Sequence, residues 1–219
     1  MQHAGRDDEL EYQEMLKGLE LKRDMESIIV GTNQAKAAGD GSANARKVAS
    51  ILSWLRTNTS RGASGLDPTV GDGTATRTDG TQRAFTEAQL KAVLQSAWNN
   101  GGKPDCIFAG GFNKQAFSTF TGRATPTEDT KSKKIVASVK FYDSDFGTLE
   151  VVPNRFMRAR DVLMLQTDMW AVAFLNGRRM VSIPLAKTGD SDRRQILSEY
   201  TLVARNEKSS GGVFDLTTS

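Results

Sequence analysis

Residues 196–216 read Ile196-Leu-Ser-Glu-Tyr200-Thr-Leu-Val-Ala-Arg205-Asn-Glu-Lys-Ser-Ser210-Gly-Gly-Val-Phe-Asp-Leu216, and the reading of this stretch decides the fold. Ile196, Tyr200, Leu202 and Ala204 fall on one side of an extended chain. Glu199, Thr201, Arg205 and Glu207 fall on the other, interrupted by Leu197 and Val203. Side chains alternate across a strand, so the pattern predicts one long strand with a single buried face. Ser209-Ser210-Gly211-Gly212 reads as a turn, and Val213 to Leu216 as a short apolar run pairing back as a hairpin. A long C-terminal strand must pair with something earlier, and nothing in it looks catalytic.

Upstream, the second half of the chain supplies β-type runs: Ile135–Tyr142, Thr148–Val152, Val162–Gln166, Trp170–Leu175 and Met180–Leu185. Gly147, Pro153-Asn154, Asn176-Gly177 and Gly189 punctuate them. Asn176-Gly177 predicts a hairpin joining Ala171–Leu175 to Arg178–Ile183. The run Gly122–Lys134 is polar and contains Pro126, which predicts a loop. No internal repeat is present.

The first half is helical where it is apolar. Residues 7–30 open on Asp7-Asp8-Glu9 and carry Tyr12, Met15, Leu16, Leu19, Leu21, Met25 and Ile28 at helical spacing. They predict a helix of about six turns, stopped by Gly31-Thr32-Asn33. Residues 34–44 read as a loop. Ala45–Leu55 places Val48, Ile51, Leu52 and Leu55 on one face of a short helix. Residues 57–83 are Gly-, Thr-, Ser- and Asp-rich, predicting either a long surface loop or an extended segment lying on another surface. Next comes the clearest local signal. Thr86 and Gln89 form a capping box, Phe85 and Leu90 a hydrophobic staple, and Leu90, Val93, Leu94 and Ala97 a buried stripe ending at Gly101-Gly102. Cys106–Ala109 reads as a buried strand, and Asn113–Phe120 as a second helix carrying Phe117 and Phe120 behind Phe112. Helix, buried strand, helix argues for a sheet with helical cover.

Composition excludes several function classes. A chain of 219 residues buries a sizeable core. One cysteine excludes an intramolecular disulfide framework and a cysteine-based zinc site. No apolar run approaches ~20 residues, so no membrane span is expected, and the N-terminal residues do not form a signal peptide. A net charge of +3 gives no electrostatic case for gripping nucleic acid. The densest basic cluster is Arg155, Arg158 and Arg160 with Lys131, Lys133 and Lys134. It suits nucleic acid or, at least as naturally, acidic residues of a neighbouring subunit.

Catalytic chemistry finds no foothold. His3, the only histidine, sits in a polar tail without a partner to orient it. Cys106 lies in an apolar strand, where a thiol behaves as a small hydrophobe. Gly71-Asp72-Gly73-Thr74 and Gly110-Gly111 match no phosphate-binding pattern. Asp143-Ser144-Asp145 and Asp190-Ser191-Asp192 begin like calcium loops but lack the later ligands, so turn or cap use is expected. The residues therefore yield no catalytic, cofactor-binding or metal-binding site, and a carboxylate hydrolase has no motif to support it.

Distributed motifs add a resemblance. Phe85-Thr86-Glu87, Trp98-Asn-Asn-Gly-Gly-Lys-Pro-Asp105, Tyr142-Asp-Ser-Asp-Phe-Gly147, Val151-Val-Pro-Asn-Arg-Phe156, Leu185-Ala-Lys-Thr-Gly-Asp190 and Leu197-Ser-Glu-Tyr-Thr-Leu202 resemble tailed-phage major capsid proteins of the SU10 type. The resemblance runs from about residue 7 to 217. It implies an α+β, HK97-like coat fold with a long spine helix (residues 7–30), peripheral β-strands, and an axial domain of a sheet flanked by helices. The axial part would hold the 86–99 helix, the 106–109 strand and the 112–121 helix. The corresponding division is residues 1–60 for the spine and the start of the peripheral domain, 61–175 mostly axial, and 176–219 late strands shared between the two.

The function implied is structural. Subunits would associate with themselves in capsomers and an icosahedral shell, with other head proteins as possible partners and packaged DNA contacted only indirectly. The expected location is the virion capsid after synthesis in the bacterial cytoplasm. Coat proteins of this fold carry an N-terminal arm and an extended loop ahead of the spine. Here six residues precede the proposed spine, so the expectation is a core lacking both. The alternative function is a truncated coat-like domain acting as a non-enzymatic binding module or assembly inhibitor.

Overall fold

Helix formation begins where the acidic first turn meets the dipole of the first helix. The computed structural model describes residues 9–120 and 140–219, and α1 (Glu9–Gly31) runs for 23 residues with Glu9 and Glu11 in its first turn. The Thr32 hydroxyl donates to the Ile28 carbonyl at 2.7 Å, satisfying a C-terminal group with no intrahelical partner. The apolar stripe behaves differently from expectation. Of the whole helix only Ile29 is buried, while Met15 and Leu19 are 56% and 43% exposed. Only the C-terminal end of α1 reaches the core.

The predicted 45–55 helix shrinks to α2 (Ile51–Trp54), because Lys47 is committed elsewhere. Lys47 and Ala37 exchange backbone hydrogen bonds of 3.0 and 3.1 Å in an isolated β-bridge. The 57–83 stretch is an extended segment lying on another surface, and it contributes β1 (Asn58–Ser60). Next, α3 (Glu87–Asn99) buries Leu90, Val93, Leu94 and Ala97 as its spacing predicts. Gln89 Oε1 accepts from the Thr86 N–H at 3.2 Å. After it come β2 (Cys106–Ala109) and α4 (Gly111–Ser118), the latter starting earlier than the expected Asn113. The predicted 122–134 loop and residues 135–139 of the next predicted strand lie outside the described residues.

The remaining strands are β3 (Phe141–Ser144), β4 (Gly147–Pro153), β5 (Val162–Leu165), β6 (Trp170–Phe174), β7 (Val181–Pro184), β8 (Arg194–Leu197), β9 (Tyr200–Ala204) and β10 (Gly211–Val213). Four of them join β1 and β2 in one six-stranded sheet of order β1-β10-β5-β2-β4-β3. The β1–β10 and β2–β4 pairs are parallel; the others are antiparallel. Strand β5 is buried at every residue because both faces of the sheet are covered. Alternation sends Val162 and Met164 into a core with Leu90, Val93 and Phe117 of α3 and α4. It sends Leu163 and Leu165 into a second core with Ile29, Ile51, Leu52 and Leu55.

The deciding stretch is not one strand. It breaks at Ser198-Glu199 into β8, paired with β7, and β9, paired with β6. Val213 does not fold back as a hairpin; β10 inserts between β1 and β5. A Cβ at Gly211 would sit 2.5 Å from the Asn58 carbonyl oxygen and 2.6 Å from Val93, so only glycine permits the insertion. The predicted Asn176-Gly177 hairpin is also corrected. The turn exists, with Gly177 at φ +72° and the Arg178 N–H donating to Leu175 at 2.9 Å, but β6 and β7 do not pair with each other. Leu175 and Arg178 both bond Glu199, so residues 175–180 bulge out of one arm and the arm resumes against the same partner. The bend that reverses the chain is at 185–193, where the Leu185 N–H donates to Arg193 at 2.9 Å. The result is an antiparallel ribbon, β6–β7 against β8–β9, projecting beside α1.

Buried Asn58 stitches the edge of the sheet. Its Nδ2 donates to the Lys208 and Ser210 carbonyls at 2.6 and 3.0 Å. Its Oδ1 accepts from Ser96 and from Asn100, both at 2.8 Å. Asn58→Ala leaves these partners unsatisfied at a cost of about 3 kcal/mol. For a chain of this size that lowers the thermal midpoint by roughly 10 °C, read by calorimetry; an unchanged midpoint contradicts the assignment.

Candidate assembly surfaces

The residues singled out for chemistry are dispersed. Cys106 is buried in β2, and burial, ahead of its acidic neighbours Asp105 and Glu150, pushes its thiol pKa up to about 11. Asp143 accepts from the Thr148 hydroxyl at 2.6 Å, and Asp192 pairs with Lys187 at 2.6 Å. Asp72 accepts from the Thr74 N–H at 2.9 Å in an ordinary Asx turn. Among the described residues no three His, Cys, Asp or Glu side chains gather as a metal site would require. His3 lies outside the described residues.

Of the basic cluster, Arg158 and Arg160 are turned inward. Arg158 pairs with Asp79 at 2.6 Å and with Asp161 at 3.3 Å. Arg160 pairs with Asp215 at 2.8 Å and with Asp79 at 3.4 Å. Arg158 and Arg160 are thus used within the chain, fastening the 57–83 segment to the sheet, while Arg155 stays exposed. Lys131, Lys133 and Lys134 lie outside the described residues. Further along the same segment, Arg61 and Arg77 both pair with Asp67. The Arg77 guanidinium, almost wholly buried, lies 3.4 Å over the centre of the Phe214 ring.

Asp161 is the strained member of this network. It is 1% exposed, and neither carboxyl oxygen has a hydrogen-bond partner among the described residues. Burial raises its pKa from the ordinary 3.8 to about 6, outweighing the opposing pull of Arg158, Arg77 and Arg160, while Asp79 adds to the rise.

What the fold leaves open is its flank. The ribbon carries exposed Val172, Leu175, Ile183 and Leu185, and α1 carries exposed Met15 and Leu19. The two elements touch through polar groups: the Ser182 hydroxyl donates to Glu14 at 3.0 Å, and Arg194 pairs with Glu14 at 2.8 Å. A groove of about 370 Å³ runs between them, with Leu10, Leu21 and Ile196 in its walls. A second groove of about 610 Å³ separates the 34–48 loop from β9. Apolar side chains spread along a long projecting element, with no catalytic group among them, are the makings of a contact surface.

Comparisons with known proteins follow the same line. The family model described as SU10 major capsid protein matches residues 1–217. No curated protein matches the sequence. Among solved structures, the holo-SrpI encapsulin complex of Synechococcus elongatus is similar at a TM-score of 0.55 and 11% identity, over 99% of this chain and 69% of that one. A chain from the structure of the phage G major capsid and decoration proteins aligns at 0.48 and 14% identity, over 89% and 61%. A structure from Mycobacterium phage Ogopogo aligns at 0.45 and 12% identity, over 94% and 68%. The encapsulin likeness is one of fold. The chain spans between 61% and 69% of the length of these three chains.

The Asp161 environment is open to direct test. A carboxyl whose pKa is higher folded than unfolded binds more protons in the folded state. Its contribution therefore favours folding at low pH and is lost as pH rises from 3.8 through about 6. Between those values the melting temperature of the native chain, corrected for buffer, declines more steeply than that of Asp161→Asn, which cannot titrate. Parallel pH profiles rule out the raised pKa.

Proposed function

The chain belongs to the SU10 major capsid protein family, and on that premise we propose that its biochemical activity is self-association into capsomers and an icosahedral shell around DNA. Its role is structural and its place is the capsid of the virion. The observation that carries the assembly reading is a set of exposed apolar side chains: Met15 and Leu19 on α1, and Leu175, Ile183 and Leu185 on the ribbon. An isolated domain gains nothing by holding these side chains in water. A tiled subunit buries them against its neighbours, each contact contributing modestly, at about 25 cal/mol per Å² of apolar area.

In this reading α1 and the ribbon form the peripheral part and the six-stranded sheet with α3 and α4 the axial part, which moves β1 (Asn58–Ser60) and β6 (Trp170–Phe174) across the division expected near residues 60 and 175. The chain acts without catalysis. Other head proteins contact its outer surfaces after synthesis in the host cytoplasm. DNA is met only indirectly, because Arg158 and Arg160 are already paired with Asp79, Asp161 and Asp215.

Light scattering with electron microscopy of the same fractions tests the proposal. The expected result is closed rings or shells whose masses are multiples of the 23.9 kDa subunit. A species that stays at one subunit mass across the concentration range overturns it.

A further inference from the structure

Among the described residues two sheet edges lack a backbone partner. In the β6–β9 pair, Leu175 bonds Glu199 and Arg205 bonds Met169, so the odd-numbered residues of β9 face β6. The N–H and C=O groups of Tyr200, Leu202 and Ala204 therefore point the other way, and among the described residues none of them finds a backbone partner. At Tyr200 this edge borders the groove of about 610 Å³, whose far wall includes Arg46, Lys47 and Val48. Arg46 is 75% exposed and among the described residues pairs with Glu199 alone, at 3.8 Å, which is itself held at 3.0 Å by Arg178. The groove is thus an extended slot with unpaired backbone on one wall and exposed cations on the other.

Among the described residues the second edge without a partner is β3, the last strand of the six-stranded sheet. Val151 bonds Lys140, so the pairing alternation turns the backbone groups of Phe141 and Asp143 outward. Phe141 is 61% exposed, Trp98 is 57% exposed, and Trp98 packs on Phe146 at 5.5 Å beside this edge. The adjoining charges include two exposed carboxylates, Asp143 and Asp145, with exposed Lys140 preceding Phe141 and Lys91 near Asp145.

We propose that the β9 edge of one copy receives the β3 edge of a second copy as an added strand. This rests on the self-association reading and gives it one specific contact. Backbone groups left without partners in each copy pair across the contact. Arg46 and Lys47 meet Asp143 and Asp145, and exposed Phe141 enters the slot beside Val48 and Tyr200. The contact joins two different patches, so its repetition extends beyond a dimer, to a ring where the rotation closes and to a filament where it does not.

Charge reversal on each side, followed by restoration, is the test. One variant carries Arg46→Glu with Lys47→Glu, a second carries Asp143→Lys with Asp145→Lys, and a third carries all four changes. All are assayed beside the native chain by light scattering and microscopy, with melting curves to establish that each is folded. Either pair of changes lowers the association constant by about tenfold or more, since like charges then face each other, and the fourfold variant recovers it. Two outcomes overturn the contact alone: half-reversed variants that assemble like the native chain, or a fourfold variant that stays unassembled while the native chain assembles. A native chain that remains monomeric overturns the self-association reading and this contact together.

Discussion

The carboxylate of Asp215 is the point on which the sheet and its covering segment depend. It is 1% exposed, on a residue at φ +61°, a region that asparagine and aspartate tolerate better than most residues. Its two oxygens accept from the Gly62 N–H at 3.1 Å, the Gly80 N–H at 2.8 Å and Arg160 at 2.8 Å. Its own carbonyl accepts from the Arg83 N–H at 2.8 Å. One buried charge thereby gathers both ends of the 62–83 excursion onto the end of β10. Added Cβ atoms at Gly65 and Gly80 would come within 2.7 and 2.9 Å of the carboxylate, so glycine there follows from the same contact. Without this charge the 57–83 stretch has too few apolar side chains to hold its place.

That constraint divides the molecule by mechanism. The six-stranded sheet is closed around two apolar cores, and its least apolar flank is fastened by ion pairs that stay inside the chain. Only the base of the ribbon, Leu202 with Trp170 and Tyr200, joins the second core. The rest of the ribbon and most of α1 are held by a few contacts, such as Glu14 with Ser182 and Arg194, and leave Met15, Leu19, Val172, Leu175, Ile183 and Leu185 exposed. A coat subunit needs this combination: a sheet body that keeps its shape, and a projecting flank whose stability is completed by its neighbours.

Much of this was legible in the sequence wherever local and global preferences agree. The Thr86–Gln89 cap, the Leu90–Ala97 stripe and the Cys106–Ala109 strand are set by neighbours a few residues away, and each lies where its pattern places it. The errors have a common physical origin in long-range pairing. Asn58-Thr59-Ser60 has no apolar side chain, and it becomes a strand because the backbone of β10 and four side-chain hydrogen bonds hold it there. Asn176-Gly177 has the chemistry of a hairpin and does make a turn. The choice of partner, though, was settled by Glu199, which bonds the backbone on both sides of that turn. Likewise the apolar alternation across residues 196–204 is real, but a four-residue mismatch with the opposing arm splits it at Ser198-Glu199. Arg158 and Arg160 read as surface charge because their partners Asp79 and Asp215 are distant in the chain. An absence of catalytic motifs was visible at once; the contact surfaces were not, since exposure is a property of the folded chain.

Hydrogen exchange, compared between dissociated and assembled chains, bears most directly on the claim that the ribbon edge and the α1 flank are completed by neighbours. The account predicts that amides of Tyr200, Leu202 and Ala204 exchange rapidly in the dissociated chain and become strongly protected on assembly, while those of β5 and β2 are protected in both. Equal exchange of the β9 amides in the two states, with protection gained elsewhere, would contradict it.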